Sequence, residues 1–116
     1  MNGRTPFGNV RGMTVKVVVM YTQPADPASF DEHYFGVHMP LVQALPGLDR
    51  ADTGKVVAAA DGGEQTYYRI TNLYFADQGA LQAAFGSPEG NATAADFQKI
   101  APPGTRMFIA AEDSAS

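Results

Sequence analysis

The strand-like segment TVKVVVMY, residues 14–21, carries apolar side chains at both odd and even positions. Successive side chains of a β-strand point to opposite faces of its sheet. One face would receive Val17, Val19 and Tyr21, and the other would receive Val18 and Met20. A strand with one face in water alternates apolar and polar residues instead. We therefore expect the sheet that contains this segment to be covered on both faces.

Two stretches of the chain carry the signals of helices. The first begins at SFDE, residues 29–32, where Ser29 caps the helix in a capping box, and it ends at the LPGL sequence. The second opens at Asp77, breaks at GSPEG and resumes over residues 92–100, with Ser87 as the new cap. Both stretches are long enough to cross one face of a small sheet.

Three further segments predict strands. The run TYYRITNLYF, residues 66–75, is aromatic and β-branched, and residues 105–111 close the domain as the last strand. Residues 53–60 form a weaker strand, and the turn sequence DGGEQ joins them to 66–75 in a hairpin with a long loop. The predicted order of elements is therefore β-α-β-β-α-β.

This order is that of a ferredoxin-like unit, an α+β fold with an antiparallel four-stranded sheet and two helices on one face. Two helices cover only one of the two apolar faces, so the other face needs a partner. The simplest partner is a second copy of the sheet, and we expect a homodimer formed through the sheet faces. The alternative is a moderately apolar face that stays in water.

The chain has 116 residues, the size of one small domain. Its opening, MNGRTPFGNVRG, shows neither helical nor strand periodicity, and we predict a disordered N-terminal extension over residues 1–12. The domain itself is expected over residues 13–112. The polar residues 113–116 are expected to form a tail.

Composition argues against several classes of partner. The net charge is −4, with 8 Lys and Arg and no basic run, which argues against nucleic acid and anionic membranes. The apolar runs are far shorter than the roughly 20 residues of a membrane span, so no membrane partner is expected. A hydrophobic signal core is also missing from the N-terminus, and we expect a cytoplasmic protein. Without cysteine, HExxH or an acidic loop, no metal site is expected.

A histidine stands on the apolar side of the first predicted helix. On a helical wheel His38 falls beside Tyr34 and Leu45, whereas His33 lies about 140° away, so the two histidines of a regular helix cannot share a metal. The sequence DEH at 31–33 is expected on the solvated surface. The buried imidazole of His38 fits a structural role, in which it bonds a carbonyl or a tyrosine hydroxyl. It also fits a catalytic or ligand-binding role, since burial moves the pKa of histidine around neutrality.

Pro40 follows His38 by two residues. It deprives the carbonyl of Gly36 of its helical donor, and we expect the helix to kink or restart there. Such a break would open a cavity beside His38. Aromatic and aliphatic side chains with one polar group are the usual lining of a small-molecule site. The predicted substrate-binding residues are Tyr34, Tyr21, Leu41, Tyr74, Phe85 and Phe108.

Two blocks of the sequence resemble the EthD family. The run FDEHYFGVHMPLVQALPGL, residues 30–48, is similar to its first-helix signature, an aromatic pair followed by His, Pro-Leu and Leu-Pro-Gly. The first residue of that pair is His33 here. The run LYFADQGALQAAFGSPEGNATAADFQKI, residues 73–100, resembles the second block, and the resemblance extends over about residues 14–111.

The resemblance implies a dimeric α+β barrel, in which two ferredoxin-like units pack sheet to sheet. Relatives with this fold include cofactor-free oxygenases, isomerases, decarboxylases and haem enzymes, and EthD proteins are often described as oxidoreductases. Fold alone does not carry chemistry from one protein to another. The motif does carry His38 over as the polar residue that faces the pocket between helix and sheet.

We therefore expect an enzyme that acts on a small apolar metabolite, aromatic or polyketide-like, with His38 as general acid or base. No tightly bound cofactor is expected, with haem as the alternative because one histidine suffices as its proximal ligand. The alternative function is a non-catalytic accessory protein of a catabolic or biosynthetic pathway. It would bind the same kind of ligand and use His38 only as a hydrogen-bonding group.

Overall fold

The computed structural model describes residues 13–112, which form one four-stranded sheet with helices on one face. The strands are β1 Val15–Thr22, β2 Leu48–Lys55, β3 Tyr67–Phe75 and β4 Arg106–Ala111. Every neighbouring pair is antiparallel, and the order across the sheet is β2-β3-β1-β4. The α+β ferredoxin-like fold is confirmed. The extension predicted over 1–12 and the tail predicted over 113–116 lie outside the described residues.

The helical segments are more divided than the sequence predicts. They are α1 Pro27–His33, a π-helical turn Tyr34–His38, α2 Met39–Gln43, α3 Gln78–Phe85 and α4 Pro88–Ile100. The prediction that Ser29 caps the first helix is wrong, because Asp26 is the cap and its carboxylate accepts the backbone N–H of Ser29. The proline at position 27 favours this earlier start, since the first turn of a helix tolerates proline. Ser87 caps α4, as predicted.

The second strand does not lie where the apolar pattern placed it. A second strand is present, but the predicted bounds 53–60 are wrong, because β2 spans Leu48–Lys55, shares only residues 53–55 with them, and is followed by the loop before β3. This strand lies at the edge of the sheet and is rich in polar residues, so it lacks the apolar signal of a buried strand. Hydrogen bonds between polar side chains help to hold β2 against β3. Nδ2 of Asn72, for example, donates to Oδ1 of Asp52 at 2.9 Å.

The two faces of the sheet have different neighbours. The odd-numbered residues of β1 are buried beneath the helices, and the even-numbered residues are partly exposed on the opposite face. That opposite face also receives Phe108, which pairs with Val18 and is 45% exposed. The helices therefore cover only one face of an apolar sheet. Among residues 13–112, no helix is long and apolar enough to cross a membrane.

Candidate functional site

The helix that carries His38 changes its winding just before that residue. The backbone N–H of Met39 donates to the carbonyl of Tyr34, five residues earlier, whereas an α-helix bonds four residues back. Pro40 follows in the first turn of α2, where its missing N–H is tolerated. The restart predicted at Pro40 is thus a π-helical turn followed by a new helix. In this wider turn each residue advances the side chain by less than the roughly 100° of an α-helix, so His33 and His38, five residues apart, come to the same side.

Asp96 of α4 lies between the two histidines. Its Oδ1 is 2.8 Å from Nε2 of His33, and its Oδ2 is 2.9 Å from Nδ1 of His38. Asp96 and His38 are only 6% and 4% exposed, whereas the side chain of His33 is 36% exposed. The wide angle predicted between the histidines is wrong, because it assumed regular α-helical winding.

Asp96 is the site residue that the sequence reasoning missed. It stands at helical spacing with Thr93, Phe97 and Ile100, which form the sheet-facing side of α4. A carboxylate on the apolar side of a helix requires a buried partner, and that requirement is the signal that would have pointed to it. The DEH sequence is not simply a solvated surface either, since Asp31 accepts a hydrogen bond from the hydroxyl of Tyr68.

The carboxylate fixes the protonation pattern of His38. A carboxylate only accepts hydrogen bonds, so Nδ1 of His38 carries its proton toward Asp96 and Nε2 carries a lone pair. Burial lowers the pKa of His38 below its usual 6.5, against the opposing effect of Asp96. Burial also acts to raise the pKa of Asp96, but the hydrogen bonds from His33 and His38 outweigh it and hold that pKa below 3.8. At neutral pH the pair is therefore an anionic carboxylate beside a neutral imidazole.

A cavity of about 270 Å³ lies between the helices and the sheet, and His38 forms part of its wall. This volume is near the lower end of small-molecule pockets, about 300 Å³. Thr71, Thr93 and Gln98 add the other polar side chains of the lining. The apolar wall includes Val17, Val19, Tyr21, Leu73, Phe85 and Phe97. The cavity thus combines an apolar lining with one titratable nitrogen base.

The structure brings together only part of the predicted substrate-binding set. Tyr21 and Phe85 line the cavity with His38. Burial raises the pKa of Tyr21, so its hydroxyl stays neutral. Tyr34 stacks on the ring of His38, with 5.9 Å between the ring centroids, and this contact helps to hold the imidazole in place. Its hydroxyl is hydrogen-bonded to two threonines of the sheet. Leu41 contributes its backbone carbonyl, which accepts from the hydroxyl of cavity residue Thr93.

Tyr74 and Phe108 lie apart from this cavity. Tyr74 pairs with Lys16 in the sheet, and the guanidinium of Arg50 lies 3.7 Å from the centre of its ring. Phe108 pairs with Val18, so both aromatic residues have the strand parity of the helix-free face. The sequence pattern grouped them with His38 because aromatic content alone does not tell which face of a strand a residue occupies.

Known proteins are similar to this chain in both sequence and architecture. The EthD domain matches residues 22–103. A relative from Rhodococcus erythropolis, described as an uncharacterized 11.0 kDa protein in the thcB-thcC intergenic region, is 40% identical over 99 residues. Those residues make up 85% of this chain and 95% of the relative.

Solved structures agree with this relationship. An ethyl tert-butyl ether D (EthD) family protein from Bacillus halodurans C-125 has a TM-score of 0.81 and 36% identity, and the match covers 87% of this chain and 100% of that one. SnoaB, a cofactor-independent oxygenase from Streptomyces nogalater, has a TM-score of 0.63 and 16% identity, with 88% and 95% covered. The likeness to SnoaB shows a common fold alone. With the domain match and the two closer relatives together, this chain belongs to the EthD family.

Proposed function

We propose that this protein is a small-molecule enzyme, an oxidoreductase such as an oxygenase or else an isomerase or decarboxylase, in which His38 acts as general acid and base on a small apolar metabolite. The observation that carries the proposal is the arrangement of His38. Its Nδ1 is held by Asp96, and its ring forms part of the cavity wall. The nitrogen available to a ligand is therefore Nε2, which carries the lone pair of a base.

The first chemical step follows from this arrangement. Nε2 removes a proton from a phenolic hydroxyl or an activated C–H carbon, and the resulting imidazolium is stabilised by the charge of Asp96. The apolar walls exclude water, which strengthens this charge interaction and protects the anion formed from the ligand. Oxygenation, isomerisation and decarboxylation can each begin with this step. The cofactor-independent oxygenase SnoaB supports oxygenation on this fold without a bound cofactor.

The size and lining of the cavity favour one class of ligand. A volume of about 270 Å³ holds a compact molecule, and the aromatic and aliphatic wall favours a largely apolar one. Few polar side chains reach the lining, and none of them is charged apart from His38 when protonated. A small aromatic or polyketide-like metabolite fits these properties.

The experiment is metabolite capture followed by mass spectrometry, with wild type compared with His38→Ala. We expect the wild type to retain a small aromatic compound that the variant loses. The variant should lose about 1–3 kcal/mol of unfolding free energy, because it leaves one oxygen of the buried Asp96 carboxylate without its partner. Tyr74→Phe on the opposite face is the control and should bind as the wild type does.

Four outcomes would contradict this proposal or a part of it. Equal capture by wild type and His38→Ala would remove His38 from the binding site. A loss of about 3–5 kcal/mol with capture intact would show that the ring is ordinary core. Capture that depends on His38 without any turnover would favour the accessory binding protein. Visible absorption by the purified protein would indicate haem and contradict the absence of a cofactor.

A further inference from the structure

We propose that His33 is a positioning residue for His38, acting through Asp96 from outside the cavity. This inference rests on the proposed role of His38 as the base of the site. His33 lies at the end of α1 and His38 at the end of the π-helical turn, and both imidazoles bond the same carboxylate. His33 does not line the cavity, so it reaches the ligand only through this chain of contacts.

The two hydrogen bonds together fix the orientation of the Asp96 carboxylate. A carboxylate bonded at one oxygen keeps freedom to rotate about its bond to Cβ. A second bond at the other oxygen fixes the plane of the group. Within residues 13–112, the hydrogen-bond partners of the Asp96 carboxylate are His33 at Oδ1 and His38 at Oδ2. Removal of His33 would therefore free the plane that directs Oδ2 to Nδ1 of His38.

The burial of Asp96 increases the free-energy cost of removing His33. Asp96 is almost fully buried, so an Oδ1 without a partner would be left where water reaches it poorly. The carboxylate would then gain by turning toward other donors, and its bond to His38 would weaken. The imidazole would lose the interaction that selects the Nδ1–H form, and the Nε2–H form would become populated. That form presents a donor to the cavity in place of a base.

The surroundings of His33 keep it out of the ligand site. It lines a separate open groove of about 440 Å³ together with Ser29, Lys99 and several prolines. Its side chain is about one-third exposed, so substitutions there leave the cavity wall intact. Substitution of His33 thus separates an effect through Asp96 from a direct effect on ligand contacts.

The test is a nitrogen NMR measurement of histidine tautomers in the ligand-free protein. The chain has only 2 histidines, so histidine labelled with ¹⁵N gives two sets of ring signals. In the wild type, we expect His38 to show a protonated Nδ1 and an unprotonated Nε2. In His33→Leu, we expect both ring nitrogens of His38 to shift toward averaged values, as a mixture of tautomers produces.

A pair of amide variants makes the test specific. The side-chain nitrogen of glutamine reaches nearly the position of histidine Nε2, so His33→Gln should keep the bond to Asp96 and the wild-type tautomer of His38. Asparagine has the same chemistry but is one bond shorter, so His33→Asn should resemble His33→Leu. Lys99→Gln changes the same groove without touching Asp96 and should leave the signals of His38 unchanged.

A single tautomer of His38 in both His33→Leu and His33→Asn would overturn the inference. Identical spectra for the Gln and Asn variants would overturn it as well, and this comparison remains if the Leu variant does not fold. The tautomer is measured without ligand. Failure of the wild type to capture any ligand would therefore contradict the proposed function and leave the positioning role standing.

Discussion

Gly90 in the first turn of α4 lies directly against the backbone at the end of α3. A Cβ built on Gly90 would be 2.4 Å from the carbonyl oxygen of Ala84 and 2.6 Å from Cα of Phe85. These are backbone atoms, which cannot move aside as the end of a flexible side chain can. The close approach holds α3 against α4, and both helices contribute residues to the cavity wall.

We expect Gly90→Ala to destabilise the protein by about 2–3 kcal/mol, the upper part of the range for overpacking. Gly36→Ala is the matched control, since nothing lies within 4 Å of a Cβ at that position. It should be neutral or gain up to about 1 kcal/mol, because alanine is the better helix former. Urea unfolding of the two variants checks this. Equal stabilities would contradict the close packing of α3 on α4.

Acid should destabilise the protein through His38. Its folded pKa lies below 6.5, so the unfolded chain binds more protons as the pH falls below that value. The contribution of His38 to the free energy of unfolding should therefore be constant above pH 6.5. It should decrease as the pH drops from 6.5 toward the folded pKa. His38→Gln should flatten this part of the profile. An unchanged profile in the variant would contradict a neutral, buried imidazole.

Asp96 adds a second loss at lower pH. Its folded pKa is below 3.8, so its contribution is present above 3.8 and is lost as the pH falls through the folded value. Asp96→Leu should cost about 1–3 kcal/mol at neutral pH, because both imidazoles lose their acceptor. Asp96→Asn should cost less, since the amide oxygen still accepts one bond. Its NH₂ group only donates, however, so one histidine must change tautomer. Denaturation curves and histidine NMR of the two variants check both statements.

The helix-free face of the sheet should form a homodimer. Phe108 is 45% exposed there and lies opposite Val18 in the sheet. Sedimentation at micromolar concentration should give a dimer, and Phe108→Glu should shift it to monomer by placing a charge in the interface. Val57 is 85% exposed in the loop after β2, and Val57→Glu should leave the dimer intact. A monomeric wild type, or dissociation by both variants, would contradict this interface.

The sequence located most reliably the strands whose side chains are buried and the residue whose chemistry is unusual for its position. The strands β1 and β3 lie in the middle of the sheet, and their apolar residues and turns located them well. His38 was recognisable because a histidine on an apolar helix face is unusual. The edge strand β2 was misplaced, since its position depends on pairing with β3 and its side chains are largely in water. Local periodicity contains no information about that pairing.

The partner of His38 was harder to find for a different reason. Asp96 lies 58 residues further along the chain, and the meeting of the two depends on the docking of α4 against the first helical region. The position of His33 depends on the π-helical winding of Tyr34–His38, which a regular helical wheel does not represent. Both errors arose because the site depends on contacts between distant parts of the chain and on helical winding that is not α-helical. The residue types themselves were suitable for the proposed chemistry.

The π-helical turn has a consequence for how this site is inherited and altered. Each residue of an α-helix advances the direction of the side chain by about 100°. At the present spacing of five residues, α-helical winding would put His33 and His38 about 140° apart, whereas the wider π-helical turn brings both to the carboxylate of Asp96. With one residue fewer between them, an ordinary α-helix would place the two histidines about 40° apart, on one side. The number of residues in this turn and its winding are therefore matched, and a change in one without the other would turn one imidazole away from the carboxylate. A relative one residue shorter here would keep the two histidines on one side with ordinary α-helical winding, whereas a change that restored α-helical winding at the present length would separate them.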